Sequence, residues 1–201
     1  MEYKVICEHD ETLLKQAADL HYKTLGYRSF ITSFGREFLY QIYRGILEYR
    51  LGFFIFANSN SKLEGFILGC TDSTKLISIV VKKIWIFSKL IIPALLRNPR
   101  FIGKLVSTIL YPQIERVKTK GELLVIVVEA RCRSKGIGST LVEKLDDEFS
   151  KRGIQEYKVA VHREMTKSND FYFKKGMKLS KTFNLYNTQW NIYLKNISEN
   201  R

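Results

Sequence analysis

Two periods run through the chain. Apolar runs of strand length alternate with stretches whose apolar residues recur every three or four positions. Tyr3 to Ile6 predicts a first strand, and Asp10 stands as N-cap of a helix carried by Leu13, Leu14, Ala17, Leu20 and His21. Gly26 and Gly35 bracket an aromatic segment, after which Phe38, Leu39, Ile42, Tyr43 and Ile46 mark a second amphipathic helix. Gly52 to Ala57 and Leu63 to Cys70 read as strands joined through an Asn-Ser-Asn-Ser turn, a hairpin by its turn chemistry. A third apolar, β-branched run ends at Val128, and Leu141, Val142, Leu145 and Phe149 follow at helical spacing. Tyr157 to Val161 predicts a further strand, residues 166–175 a helix, and Met177 to Leu194 two closing strands. The pattern is that of an α/β (α+β) chain organised as one domain over residues 1–201.

One segment breaks the pattern. Residues 75 to about 118 hold all three prolines, Pro93, Pro99 and Pro112, and from Lys75 to Ile114 there are seven Lys or Arg and no Asp or Glu. The first part is apolar nearly all round a helix but punctuated by Lys82, Lys83 and Lys89, which counts against a membrane span. Proline ends or kinks a helix, so at least two helical pieces are expected. Three roles stay open for this insert: helices packed on the domain, a homodimer surface, or an interfacial element whose lysines face anionic headgroups.

Composition narrows the class. With 201 residues, 45% hydrophobic and 13% aromatic, the chain can bury a substantial core. Cys7, Cys70 and Cys132 are few and scattered, which argues against a disulfide framework and for a reducing, cytoplasmic setting; Cys132 reads as an incidental loop residue. His9, His21 and His162 form no ligand-spaced cluster, so no metal is expected. No long apolar region follows the Met-Glu-Tyr-Lys-Val start, so no secretory signal is expected. The net charge of +13 favours anionic partners. In the insert the basic residues are interleaved with Ile and Leu, which favours packing over base stacking, and no nucleic-acid partner is expected.

The chemistry concentrates after Val128. A buried strand enters a short basic loop carrying Arg133, Ser134, Lys135, Gly136 and Gly138, and an amphipathic helix leaves it. Free backbone N–H groups and the positive end of the helix dipole make such a turn a cradle for a phosphorylated ligand. The spacing Arg133-x-x-Gly136-x-Gly138 resembles the acyl-CoA binding signature of the GNAT superfamily of N-acetyltransferases. Neither the Gly-x-x-x-x-Gly-Lys-Ser/Thr nor the Gly-x-Gly-x-x-Gly spacing occurs. Downstream, Tyr172, Gly176 and Met177 resemble the family's later helix, in which a Tyr lies four residues before a helix-ending Gly.

The resemblance implies a GNAT-like fold: a central mixed, mostly antiparallel sheet of six to seven strands flanked by helices, here with a helical insert. It implies acetyl-CoA as co-substrate, its pyrophosphate held by Arg133, Ser134, Lys135 and the amides of Gly136, Ile137, Gly138 and Ser139. Val127 and Val128 hold the place where free backbone groups bind the pantetheine arm, and the Val128 N–H could also polarise the thioester oxygen. Tyr172 would return a proton to the departing thiolate, the alternative being plain core. The family often has Asn seven residues before that Tyr. Met165 stands there, and Asn169, out of phase on the same segment, is carried as a candidate cofactor contact.

An ammonium must lose a proton before it can attack a thioester. Glu122 is preferred as the base, because a catalytic carboxylate occupies the comparable place in several members of the family; a solvated residue at a strand mouth is the alternative. Strand alternation is expected to put Glu122, Leu124, Ile126 and Val128 on one face, and Glu129 is expected to pair locally with Arg131. The leading expectation is an acetyl-CoA-dependent N-acetyltransferase acting on a small-molecule amine. The segment Phe30 to Leu39 is similar to a pattern in members from surface-polysaccharide gene sets, which implies an amino sugar or nucleotide-sugar. Protein or peptide acetylation and a non-catalytic CoA-binding or anionic-surface-binding module are the alternatives.

Overall fold

The computed structural model of the chain describes residues 1–26, 29–60, 62–110, 117 and 119–198. The elements run β1 (Glu2–Ile6), α1 (Glu11–Leu25), α2 (Arg36–Glu48), β2 (Gly52–Ser59) and β3 (Lys62–Cys70). The insert supplies α3 (Leu76–Lys82), α4 (Ile84–Arg97) and α5 (Phe101–Ile109). Then come β4 (Gly121–Val128), α6 (Ile137–Lys151), β5 (Glu156–His162), α7 (Thr166–Lys174), β6 (Lys178–Leu185) and β7 (Thr188–Asn196). All strands join one sheet in the order β1-β2-β3-β4-β5-β7-β6. Every neighbouring pair is antiparallel except β4 and β5. The expected α/β class with a mixed, mostly antiparallel sheet is what forms.

Helices cover both faces of the sheet. Phe54, Phe56, Phe66 and Leu68 pack with Leu14 of α1 and Tyr43 and Ile46 of α2. Phe53, Ile55 and Ile67 pack with Leu141, Leu145 and Phe149 of α6 on the other side. Burial on both faces explains why β2 and β3 read as near-continuous apolar runs rather than alternating ones. Local signals set the ends: the Asp10 carboxylate accepts from Leu13 N–H at 3.0 Å and caps α1. Between β6 and β7, Tyr186 and Asn187 both have positive φ, as a two-residue I′ hairpin requires.

The insert packs as three helices beside α2. Phe87 is fully buried with its ring 5.3 Å from Phe38, and Phe101 lies 5.5 Å from Phe30. Proline places these helices differently from the sequence reading. Pro93 sits inside α4, Pro99 does separate α4 from α5, and the break between α3 and α4 falls at Lys83 without any proline. Pro112 lies outside the described residues. No helix among the described residues is long and apolar enough to cross a membrane.

Gly45 on α2 is the tightest contact with the insert. A Cβ there would come 2.3 Å from Ile79 Cγ2, and Ile79 is fully buried on α3. Helix propensity alone favours Ala over Gly by about 1 kcal/mol. Overpacking costs about 1–3 kcal/mol, so the clash decides the sign. Gly45→Ala is expected to lower the urea-unfolding free energy, and a stabilised variant would show that the insert is not seated on α2.

Candidate functional site

The sheet has one interruption. β4 and β5 pair only at Gly121↔Tyr157 and Glu122↔Lys158, where their ladder stops. Beyond it β5 stays on β7 as far as His162↔Trp190, and β4 stays on β3 as far as Gly65↔Val128. From Leu123 to Val128 the edge of β4 that faces β5 therefore has no strand partner. Glu129 N–H donates to Glu64 O at 2.8 Å. Polar groups alternate between neighbours along an antiparallel strand, so Val127 directs its amide and carbonyl to β3, while Ile126 and Val128 direct theirs into the gap. Of the two valines named from sequence, Val128 is the one with backbone available to a ligand.

A β-bulge corrects the expected facing of side chains. Leu68 is opposite Val125 and Gly69 is opposite Leu123, so Leu124 is an extra residue. Leu124, Val125 and Val127 pack on the α1–α2 side, whereas Leu123, Ile126 and Val128 pack on the α6 side. Glu122 thus does not share a face with Ile126 and Val128.

At the open end of the gap the chain turns sharply. Cys132 N–H donates to Glu129 O at 2.8 Å, and the Arg133 guanidinium reaches back to Val128 O at 3.3 Å. Ser134 and Gly136 both have positive φ, 61° and 83°. Gly136 is the N-cap of α6, and no side chain caps the helix there. The helix ladder starts with Thr140 N–H on Gly136 O at 3.0 Å, so the amides before it lack intrahelical acceptors. The first turn carries no acidic residue, which leaves the positive end of the helix uncompensated. Arg133, Ser134, Lys135 and Gly136 are exposed, Gly138 and Ser139 are half-buried, and Ile137 is buried in the core. Cys132 is buried as well, so it is not an accessible thiol. The Glu129 carboxylate lies 3.0 Å from Arg131, the local pairing expected from sequence.

Phe171 and Tyr172 on α7 close the gap's α6 side. A methyl group placed on Gly138 would meet the Phe171 ring at 3.6 Å, an ordinary contact. Tyr172 is 6% exposed, lies beside Tyr193 of β7, and its hydroxyl makes no hydrogen bond among the described residues. Burial holds its phenol well above the usual tyrosine range, so it keeps its proton. Gly176, at φ 77°, ends this helix, and Met177 N–H donates back to Tyr172 O at 3.1 Å. Asn169 is occupied internally. Its amide donates to Met165 O (2.8 Å) and His162 O (3.1 Å), and its oxygen accepts from Asn191 (2.9 Å) and Tyr193 (3.0 Å). It knits α7 to β5 and β7 and leaves no polar atom for a cofactor.

His162, weighed in the sequence only as a metal ligand, has no spacing that marks it for this site. It ends β5 on the far side of the gap, half-buried against Trp190. Its Nδ1 accepts from Glu164 N–H at 3.3 Å, and no partner engages Nε2 among the described residues. A surface hollow lined by Cys7, His9, Arg50 and Arg152 opens at the opposite end of β2 and β3 and is remote from these groups.

Glu122 lies at the closed end of the gap. It is 5% exposed and 3.6 Å from Lys158, which is 1% exposed. The solvated residue at a strand mouth, one of the two sequence readings, is not what forms: the carboxylate is held against a buried ammonium. Removing one member of such a pair costs about 3–5 kcal/mol, while exchanging both for apolar residues is often neutral. Glu122→Leu is accordingly expected to lower the melting temperature sharply, and Glu122→Leu with Lys158→Met to recover most of the loss. Equal losses in single and double variants would remove the strut role.

Comparison with known proteins agrees with this architecture. The model of the Acetyltransferase (GNAT) family matches residues 21–177. A spermidine N(1)-acetyltransferase of Thermoplasma acidophilum is 30% identical over 84 residues, 41% of this chain and 52% of that protein. The chain thus spans about half the length of that curated relative. Among solved structures, the PaiA N-acetyltransferase of Thermoplasma acidophilum in complex with coenzyme A superposes with a TM-score of 0.59 at 19% identity, covering 98% of this chain and 99% of that one. An aminoglycoside 6′-acetyltransferase type Ii gives 0.60 at 19%, covering 98% and 97%. The ribosomal-protein-S18-alanine N-acetyltransferase of Escherichia coli gives 0.57 at 13%, covering 98% and 94%. A family match across most of the chain, on a sheet that opens beside an uncapped helix start, makes this protein a member of the GNAT acetyltransferase family.

Proposed function

We propose that the protein is an acetyl-CoA-dependent N-acetyltransferase acting on the primary amine of a small molecule. One observation carries this reading: the unpartnered edge of β4 runs from the uncapped start of α6 into the sheet. Diphosphate at the helix start and a pantetheine arm along that edge would use donors that the fold leaves unpaired. The PaiA relative, solved with coenzyme A, supports the choice of ligand. Arg133, Ser134, Lys135 and the first-turn amides of α6 would hold the pyrophosphate, and Val128 the amide-bearing arm.

In this reading the amine nitrogen attacks the thioester carbonyl carbon from the α1–α2 face, since α6 and α7 cover the other. The Val128 N–H stabilises the oxygen as it becomes negative. The ammonium first gives its proton to an acceptor. We assign this to His162 Nε2, which has no partner among the described residues and stands at the open end, rather than to Glu122, which is pinned at the closed end. The C–S bond then breaks and the electron pair leaves on sulfur. A thiolate with pKa near ~8.5 is a weaker base than a tyrosinate whose phenol is pushed up by burial, so Tyr172 donates a hydrogen bond and keeps its proton. The nitrogen, now bonded to the acetyl carbon, sheds its second proton to water to become the neutral amide, and solvent protonates the sulfur.

The acceptor class is supported from two directions. The spermidine and aminoglycoside enzymes among the relatives bear names of small amines. The net charge of +13 disfavours steering a polycation such as spermidine and favours an amino sugar, above all one carrying phosphates.

Acetyl-CoA is expected to raise the melting temperature, because a ligand selective for the native state stabilises it; no shift would overturn the cofactor assignment. Free-thiol release should appear with one member of a panel of amino sugars, nucleotide-linked amino sugars, spermidine and peptides. Silence across the panel despite cofactor binding would favour a non-catalytic module. Tyr172→Phe is expected to cut turnover roughly 10- to 100-fold, the worth of one hydrogen bond to a charged group, with CoA affinity retained. Gly138→Ala separates fold from ligand. Its methyl group has room, so stability should hold while CoA binding weakens; equal binding would take the diphosphate off that turn.

A further inference from the structure

Eleven of the sixteen exposed large apolar residues among the described residues lie between Ile77 and Leu110, so apolar exposure is a property of the insert and not of the domain. On α4 the arrangement is explicit. Phe87 and Ile91 face inward, and Trp85 (81% exposed), Ile92 and Leu96 (79%) follow one another at helical spacing on the opposite side, with the exposed Lys89 among them. α5 repeats it: Phe101 and Leu105 pack on the core while Ile102, Val106 and Ile109 are exposed. Each helix thus has two apolar faces, only one of which has a partner within the chain. Single exposed apolar residues need no explanation, but a contiguous set of this kind marks a contact surface.

Charge selects the partner. From Leu76 to Leu110 the chain has six Lys or Arg and no carboxylate. Lys83 pairs with Glu48 of α2, and Lys82 lies over the Tyr49 ring at 4.5 Å. Lys89, Arg97, Arg100 and Lys104 make no ion pair among the described residues. A second copy is disfavoured, because a two-fold contact would set this patch against itself, cation against cation with no carboxylate to separate them. The outward stripe of α4 also lacks the directional polar groups with which a folded acidic partner would be recognised. Tryptophan, aliphatic side chains and lysine interleaved on one helix face are instead suited to the boundary between headgroups and acyl chains.

We propose that the α3–α5 insert is a peripheral docking surface for anionic phospholipid bilayers. Trp85, Ile92 and Leu96 enter the headgroup–acyl boundary, and Lys89, Arg97, Arg100 and Lys104 meet lipid phosphates. The attachment is independent of acetyl transfer.

Flotation of the full-length protein with vesicles of phosphatidylcholine alone, or of phosphatidylcholine with phosphatidylglycerol, tests it directly. The wild type should co-float with the anionic vesicles at low salt and much less with neutral ones or at high salt, with a blue shift of Trp85 emission that Trp85→Phe removes. Trp85→Ser with Leu96→Ser should weaken binding more than about tenfold, as loss of a buried Leu-sized side chain implies. Lys89→Glu with Arg97→Glu should remove the salt-sensitive part. All four positions are exposed, so both variants should melt with the wild type, which separates lost attachment from lost folding. Absence of flotation with anionic vesicles at low salt overturns the proposal. So does flotation unchanged in both variants, or dimerisation in solution through these residues with vesicles left unbound.

Discussion

A parallel ladder of two residue pairs organises this molecule. β4 and β5 are held together at Gly121–Tyr157 and Glu122–Lys158, and nowhere beyond. Had the pairing continued, the polar groups of Ile126 and Val128 would be consumed by the sheet and no ligand could lie against them. Had it not begun, the two halves of the sheet would have nothing to hold them in register. The buried Glu122–Lys158 pair sits at this junction. An ion pair is a weak source of stability compared with apolar packing, but its charges fix one arrangement strictly. Its place at the apex suits it to hold the two strands together.

The separation of the strands is kept by other contacts. β5 is drawn away by its full-length pairing with β7, and Asn169 fastens α7 to the end of β5 and the middle of β7. β4 is drawn the other way by β3, with the bulge at Leu124 resetting which side chains enter which core. The loop after Val128 then supplies what an open strand edge lacks, a concentration of positive potential. It does so through the bare end of α6 more than through lysine side chains, since main-chain amides are fixed in place and surface ammoniums are not.

Much of this was legible in the residues. Period-2 and period-3.6 patterns located the strands and most helices, because burial on one face or both is a local demand. Arg133, Gly136 and Gly138 announced the turn, because positive φ and bare amides restrict which residues can stand there. What was not legible depended on contacts between distant segments. The Leu124 bulge shifts facing by one position and leaves no mark in composition. Nothing in the spacing of Lys158 tells that β5 brings it to Glu122. The occupation of Asn169 was hidden because its partners on β5 and β7 reach it only through the fold. Pro93 inside α4 shows tertiary packing overriding a local rule.

The two faces of the sheet also differ in what they tie together. The core under α6 and α7 contains Val128, Cys132 and Ile137 and no residue of α3–α5, while the inward side chains of α3–α5 pack on the α1–α2 side. Selection can therefore rewrite one half without disturbing the other. A lineage could rewrite the outer face of residues 76–110 while inheriting the half under α6 and α7 unchanged.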